Sequence, residues 1–340
     1  MANQPGGAHA RRRTPTGRRI LLAALLTLLL AAGATLAVLR LGDAPGAADN
    51  PIAASTPVPT GVAEPTATRS PATAPTTTAT RPSVSPTTAA PVKAATSRRK
   101  GVCVWTFGGV NQALAASGAS WYYTWSTQHQ GVATPAGAQF VPMIWGPGSV
   151  TDAALAQAKA AGPYLLGFNE PDMDSQADMS VAAALDLWPR LMAAGKVLGS
   201  PAVAWGGADA GGWLDRFMAG ARQRGHRVDF IALHWYGGDF RTAEATAQLR
   251  SYLQAVYDRY HKPIWLTEFA LIDFASGSAR FPTQAQQAAF LTSATAMLGR
   301  LSFVQRYAWF ALPATDKDQT GLFRTGTAVT PVGRAFQAAR

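Results

Sequence analysis

The strongest constraint on this chain is a stretch that cannot fold. From about Gly42 to Ser97 the residues are mainly Thr, Pro, Ala and Ser, with no aromatic side chain and almost no aliphatic periodicity. Such a segment has too little apolar surface to offset the entropy of ordering it, and its prolines keep it semi-extended. Residues 40–100 are therefore expected to be a disordered Thr/Pro/Ala-rich spacer, with or without sugars on its hydroxyls, and any core must be built from residues 101–340.

Charge divides at the same place. The 340 residues carry 30 Lys/Arg and 19 Asp/Glu, a net +11, but 12 of the basic and only 3 of the acidic residues fall within 1–100. The remainder is close to neutral, so the basic excess lies in tails and not on a folded face; nucleic acid is not an expected partner. Arg11, Arg12, Arg13, Arg18 and Arg19 precede an uncharged apolar run from Ile20 to Leu39. At about 1.5 Å per residue that run spans a hydrocarbon core of roughly 30 Å, and the basic flank puts residues 1–19 on the cytoplasmic side. Residues 20–39 are expected to be a transmembrane signal anchor. A cleaved signal peptide is the rival, since Ala44, Gly46 and Ala47 supply small residues just downstream. Either way the remainder is extracytoplasmic, membrane-anchored or secreted. The single cysteine, Cys103, allows no intramolecular disulfide and reads as a small buried strand residue.

From residue 101 to 340 short apolar or aromatic runs ending in polar residues alternate with Ala-rich stretches at helical spacing, such as Thr151–Ala161 and Thr283–Leu298. The runs predict strands at Val102–Phe107, Trp121–Ser126, Phe140–Trp145, Tyr164–Glu170, Val197–Val203, Phe230–Tyr236, Pro263–Phe269 and Val304–Phe310. Eight strand candidates with helical segments between most of them, in about 240 residues, fit an α/β fold of the (β/α)8 TIM-barrel type. No glycine-rich phosphate fingerprint follows the first run, which disfavours nucleotide binding.

Only four glutamates occur in the chain: Glu64, Glu170, Glu244 and Glu268. Glu170 and Glu268 each end a predicted strand after an apolar run, where a carboxylate is costly without partners or a task. In a barrel those strand ends open onto one face. Two carboxylates across a cleft are what glycosidic cleavage needs, one to give a proton and one to capture or stabilise an oxocarbenium-like centre. Trp105, Trp121, Tyr122, Tyr123, Trp125, Trp145, Trp205, Trp235, Tyr236 and Trp309 all fall in or just after predicted strands, placed either to stack on sugar faces or to pack the core. His129, His226, His234 and His261 show no metal-ligand spacing, and Asp172, Asp174 and Asp178 lack the glycine and terminal glutamate of a calcium loop. No metal and no cofactor are expected.

Gly167-Phe168-Asn169-Glu170-Pro171-Asp172, His234-Trp235-Tyr236-Gly237, Trp265-Leu266-Thr267-Glu268-Phe269 and Tyr307-Ala308-Trp309-Phe310, with Phe140-Val141-Pro142-Met143-Ile144-Trp145, resemble family 128 of the glycoside hydrolases, the retaining β-1,3-glucanases of the large barrel clan. The resemblance runs from about Gly101 to Arg340. It implies Glu170 as acid/base, Glu268 as nucleophile, Asn169 on the sugar hydroxyl beside the reacting carbon, and Tyr236 hydrogen-bonded to the nucleophile. It also implies Trp309 as the floor under the reacting sugar; among the other strand-end aromatics, Trp105, Trp125 and Trp145 are expected as further substrate contacts from their position. His234 is implied to lie near by, though a lone strand-end histidine among aromatics is equally a structural residue. The implied activity is double-displacement cleavage of β-1,3-glucan by an endo-acting monomer. Two other functions compete: a non-catalytic wall-binding protein on a barrel scaffold, and a clan glycosidase acting on another β-linked polysaccharide.

Overall fold

The computed structural model describes residues 98–315 and 318–340; the basic segment 1–19, the apolar run 20–39 and the expected spacer as far as residue 97 lie outside the described residues, and Lys100, expected to end the spacer, is the buried first residue of a strand. Among the described residues no helix is long and apolar enough to cross a membrane.

Eight parallel strands succeed one another in chain order: β1 Lys100–Cys103, β2 Trp121–Tyr123, β3 Gln139–Phe140, β4 Tyr164–Leu165, β5 Val197–Leu198, β6 Ile231–Gly237, β7 Ile264–Leu271 and β8 Val304–Trp309. One sheet runs β3-β2-β1-β8-β7-β6 and a second pairs β4 with β5. The two are joined into a ring by single parallel bridges, Met143 to Leu166 on one side and Gly199 to Phe230 and Val203 to Leu233 on the other. The predicted strands are thus in place, but the regular ladders of β2 to β5 are only two or three residues long and continue as isolated bridges.

The helices are α1 Val110–Ser117, α2 Asp152–Ala161, α3 Val181–Ala194, α4 Trp213–Gln223, α5 Thr242–Tyr260, α6 Gln284–Leu298 and α7 Pro331–Ala338. Their starts are encoded locally. Thr151 and Ser180 accept the backbone N–H three residues on, and Thr283 forms a capping box with Gln286. Each such cap contributes about 1 kcal/mol. No α-helix separates β2 from β3; residues 124–138 form a loop there.

Alternation along the strands decides what fills the barrel. Trp121, Tyr164, Phe230 and Trp265 pack ring against ring at its lower end, Phe230 and Trp265 at 4.2 Å. The guanidinium of Arg306 lies 4.2 Å from the Trp265 ring centroid and 4.5 Å from that of Tyr164, a cation–π plug worth up to about 2 kcal/mol when desolvated. Gly101 makes room for this layer, since a β-carbon there would stand 2.2 Å from the Trp121 ring. The side chains of opposite parity, including Phe269 and Trp309, face the helix layer and meet Phe290 of α6.

Candidate active site

At the upper end of the barrel the inward positions stop being apolar. Along β7, Trp265 points into the aromatic layer, so strict alternation would turn Glu268 outward. The ladders show otherwise: Leu233 pairs with Leu266 but His234 pairs with Glu268, and Leu266 pairs with Tyr307 but Phe269 with Trp309. One extra residue in β7 is a bulge, and it returns Glu268 to the interior while sending Phe269 out. Glu268 is 1% exposed and surrounded by donors. Tyr236 Oη donates to Oε2 at 2.5 Å; Tyr123 Oη at 3.0 Å and Trp125 Nε1 at 2.8 Å reach Oε1.

Glu170 comes after β4, 2% exposed, with its backbone in the left-handed region at φ 43 and its N–H bonded to the Ala202 carbonyl at 2.7 Å. Trp125 shares that conformation, φ 54. A non-glycine residue there is strained, and two such residues aim side chains into one cavity. Glu170 Oε1 lies 2.7 Å from His234 Nδ1, and Oε2 is buried with no partner. Burial pushes the Glu170 carboxyl up, helped by the charges of Glu268 and Asp172 and opposed by His234. For His234, burial alone would lower the pKa; the charge of Glu268 and the bond to Glu170 outweigh it, and the net direction is up. His234 Nε2 stands 3.4 Å from Glu268 Oε1 without a hydrogen bond to it, so the imidazole lies between the two carboxylates and is bonded to Glu170. One oxygen of each glutamate and a ring nitrogen of His234 lie within 4.8 Å of one another.

The structure brings most of the sequence-predicted residues together and corrects several. Asn169 is buried beside Glu170, its Nδ2 donating to Gln176 Oε1 at 3.2 Å and its Oδ1 unpartnered. Trp105 and Trp125 form a tilted pair 6.0 Å apart, and Tyr236 stands on the opposite strand end. Trp309 does not belong here. It is 0% exposed, packs against Phe269 at 5.0 Å, and donates its indole N–H to the Thr320 carbonyl. The next residue, Phe310, has the inward parity and meets Trp105, Trp125 and Tyr236 at 5.8, 6.0 and 5.6 Å. Trp145 is half-buried and serves Asn169 through its carbonyl, which accepts the Asn169 N–H at 2.8 Å. His234, expected near the sugar, is closed to solvent and contacts the carboxylates instead. The Asp172 carboxylate accepts the N–H of Ala204 at 2.9 Å and of Trp205 at 3.4 Å. Trp205, 46% exposed and edge-on to Phe274, extends the aromatic wall outward. Phe310 and the donor role of Tyr123 escaped notice in the sequence, although both sit at inward parity just where the apolar runs end.

Glu170, His234 and Glu268 have the atom types of a metal site, but the arrangement is a poor cation cradle. Three O–H and N–H donors turn their positive ends onto the oxygens of Glu268, and His234 Nδ1 is engaged by Glu170. These are the contacts of a carboxylate kept for chemistry on a neutral substrate.

Comparison with known proteins fits this geometry. The family model for the glycosyl hydrolase catalytic core matches residues 103–336. Alkali-sensitive linkage protein 1 of Schizosaccharomyces pombe is 32% identical over 215 residues, 61% of this chain, and the match takes in only 37% of that protein's length. The crystal structure of a GH128 subgroup I endo-β-1,3-glucanase from Amycolatopsis mediterranei, in complex with laminaritriose, is 60% identical with a TM-score of 0.69, covering 72% of this chain and 100% of that one. A subgroup II endo-β-1,3-glucanase from Sorangium cellulosum is 30% identical with a TM-score of 0.60, covering 71% and 98%. The chain therefore belongs to the glycosyl hydrolase catalytic-core family and, within it, to family 128 of the glycoside hydrolases.

Proposed function

We propose that this protein is a retaining glycoside hydrolase that cleaves β-1,3-glucan by double displacement, at internal linkages and not from the glucan's end. The observation that carries this reading is the pair of buried carboxylates with oxygens within 4.8 Å, one held by three donors and the other by a histidine alone. That spacing of the nearest oxygens is closer to the roughly 5–5.5 Å of a retaining carboxyl pair than to the roughly 6.5–9.5 Å of an inverting pair, and so supports retention. Glu268 attacks the anomeric carbon while Glu170, whose carboxyl burial pushes up, gives its proton to the departing glycosidic oxygen. Glu170, now a base, then takes a proton from the water that releases the sugar from Glu268. Asn169 presents its unpartnered Oδ1 toward the neighbouring hydroxyl, and Trp105, Trp125 and Phe310 supply the flat apolar wall.

The linkage is inferred from the relatives, whose subgroup I member binds laminaritriose. A product profile on β-1,3-, β-1,4- and mixed-linkage glucans tests it: internal cleavage of β-1,3-glucan with a β-configured first product is expected, and preference for a β-1,4-glucan would overturn it. We further propose that residues 20–39 anchor the chain in the membrane, with residues 1–19 cytoplasmic and the spacer 40–100 carrying a monomeric catalytic domain outside. Recovery of the full-length chain from the soluble cytoplasm would refute export, and a shortened form in the medium would favour the cleaved signal.

A further inference from the structure

The hydroxyl of Tyr123 faces more acceptors than it has protons. Its Oη lies 3.0 Å from Glu268 Oε1 and 3.1 Å from the Thr267 carbonyl, and a phenol has one proton to give. The same carbonyl lies 3.3 Å from the thiol of Cys103, which is also 3.5 Å from Tyr123 Oη. Cys103, Tyr123 and Thr267 are all fully buried, so no water shares in the arrangement. Were the phenol to donate to Thr267, its oxygen lone pairs would face the carboxylate at 3.0 Å, an unfavourable contact in a dry site.

Resting on the assignment of Glu268 as nucleophile, we infer that Tyr123 is a positioning residue for it, and that the Cys103 thiol, by occupying the Thr267 carbonyl, directs Tyr123's single proton to Glu268 Oε1. Burial first, and then the charge of Glu268 among their neighbours, holds both the thiol and the phenol well above their ordinary pKa values, so each keeps the proton this assigns to it. The groups facing Glu268 are Cys103 from β1, Tyr123 from β2, Trp125 from the loop after β2, Glu170 beyond β4, and His234 and Tyr236 from β6. Of its two phenols, Tyr123 alone has a second acceptor among the described residues. The donated bond stabilises the charge that the carboxylate bears before attack and regains as the glycosyl-enzyme breaks down.

The test uses the full chain on a soluble β-1,3-glucan across pH. Tyr123→Phe is expected to lower kcat/KM by about tenfold or more, the value of one hydrogen bond to a charged group, with KM little changed. The acidic limb of the profile should move to higher pH, because a carboxylate with one donor fewer takes up a proton more readily. Cys103→Ala should move that limb the same way by a smaller amount, Cys103→Ser should restore it, and Cys103→Ala added to Tyr123→Phe should move it no further. An unmoved limb in a Tyr123→Phe protein that melts as the parent does overturns the inference, as does a Cys103→Ala effect that persists undiminished without the phenol. Glu268→Ala separates the two levels. Retained turnover there overturns the nucleophile assignment and this inference with it, whereas an inactive Glu268→Ala beside an unmoved Tyr123→Phe limb removes only the role of Tyr123.

Discussion

The ends of β4 and β7 carry the same side chain in opposite surroundings. Glu268 meets three neutral donors, from β2, the loop after it and β6, which spread over both its oxygens. Glu170 has a single bonded partner, His234, on one oxygen, and its other oxygen is buried and bare. The contrast suits the two roles proposed for the pair: donors hold a charge in place, while dry burial with one titratable neighbour makes a proton easy to keep until it is needed. His234 touches both sides and is the seam between them.

Deleting each carboxylate in turn puts the contrast to its hardest test. Glu268→Ala is expected to lose more than about a thousandfold in turnover on every substrate, since no glycosyl-enzyme forms. With Glu170→Ala an activated aryl glycoside still glycosylates Glu268, and added azide replaces the missing base, giving a β-glycosyl azide. Any azide product of Glu268→Ala should be α. Product configuration by NMR decides between them, and the reverse pattern would exchange the two roles.

Tyr236→Phe removes the shortest bond to Glu268 and should cost about ten- to a hundredfold in kcat/KM with KM nearly constant, measured on the same glucan. His234→Ala works on the other side. Because His234 lowers the pKa of Glu170, its loss should carry the alkaline limb of the pH–rate profile to higher pH and reduce kcat/KM by about tenfold. A limb that moves to lower pH would show that the histidine does not support the charged form of Glu170.

The smallest effect is on stability. Glu170 and His234 both bind protons more tightly in the folded chain than in the unfolded one, so stability falls as pH rises from the ordinary carboxylate range through their raised values. Glu170→Gln keeps an acceptor for His234 and removes the buried charge. It should melt higher than the parent, by about 2–4 °C for each kcal/mol relieved, and by more at pH 8 than at pH 5. Equal shifts at both pH values would mean that the carboxyl is not strained by burial.

Much of this was legible before any coordinates. The apolar runs ending in Asn169-Glu170 and Thr267-Glu268 are placed by hydrophobicity, because a strand buried on both faces must be apolar and a polar residue that ends it must be there for something. Helix starts were equally local, as Thr151 and Thr283 show, since a cap involves residues three apart. Direction was not legible. The family resemblance makes Trp309 the floor and gives Phe310 no role, yet a one-residue difference in parity turns the first toward Phe290 and the second toward Trp105. The β7 bulge reverses the same count for Glu268. Nor does the chain order of Cys103, Tyr123, Trp125, His234 and Tyr236 say that four side chains from three strands and one from the loop after β2 surround one carboxylate. Which residues must be buried, and which two carboxylates end apolar runs, could be read from residue types alone, because burial and charge are properties of each side chain. Which atoms meet was settled by the closed ring, because that depends on strand register around it, where one extra residue in one strand re-aims everything beyond it.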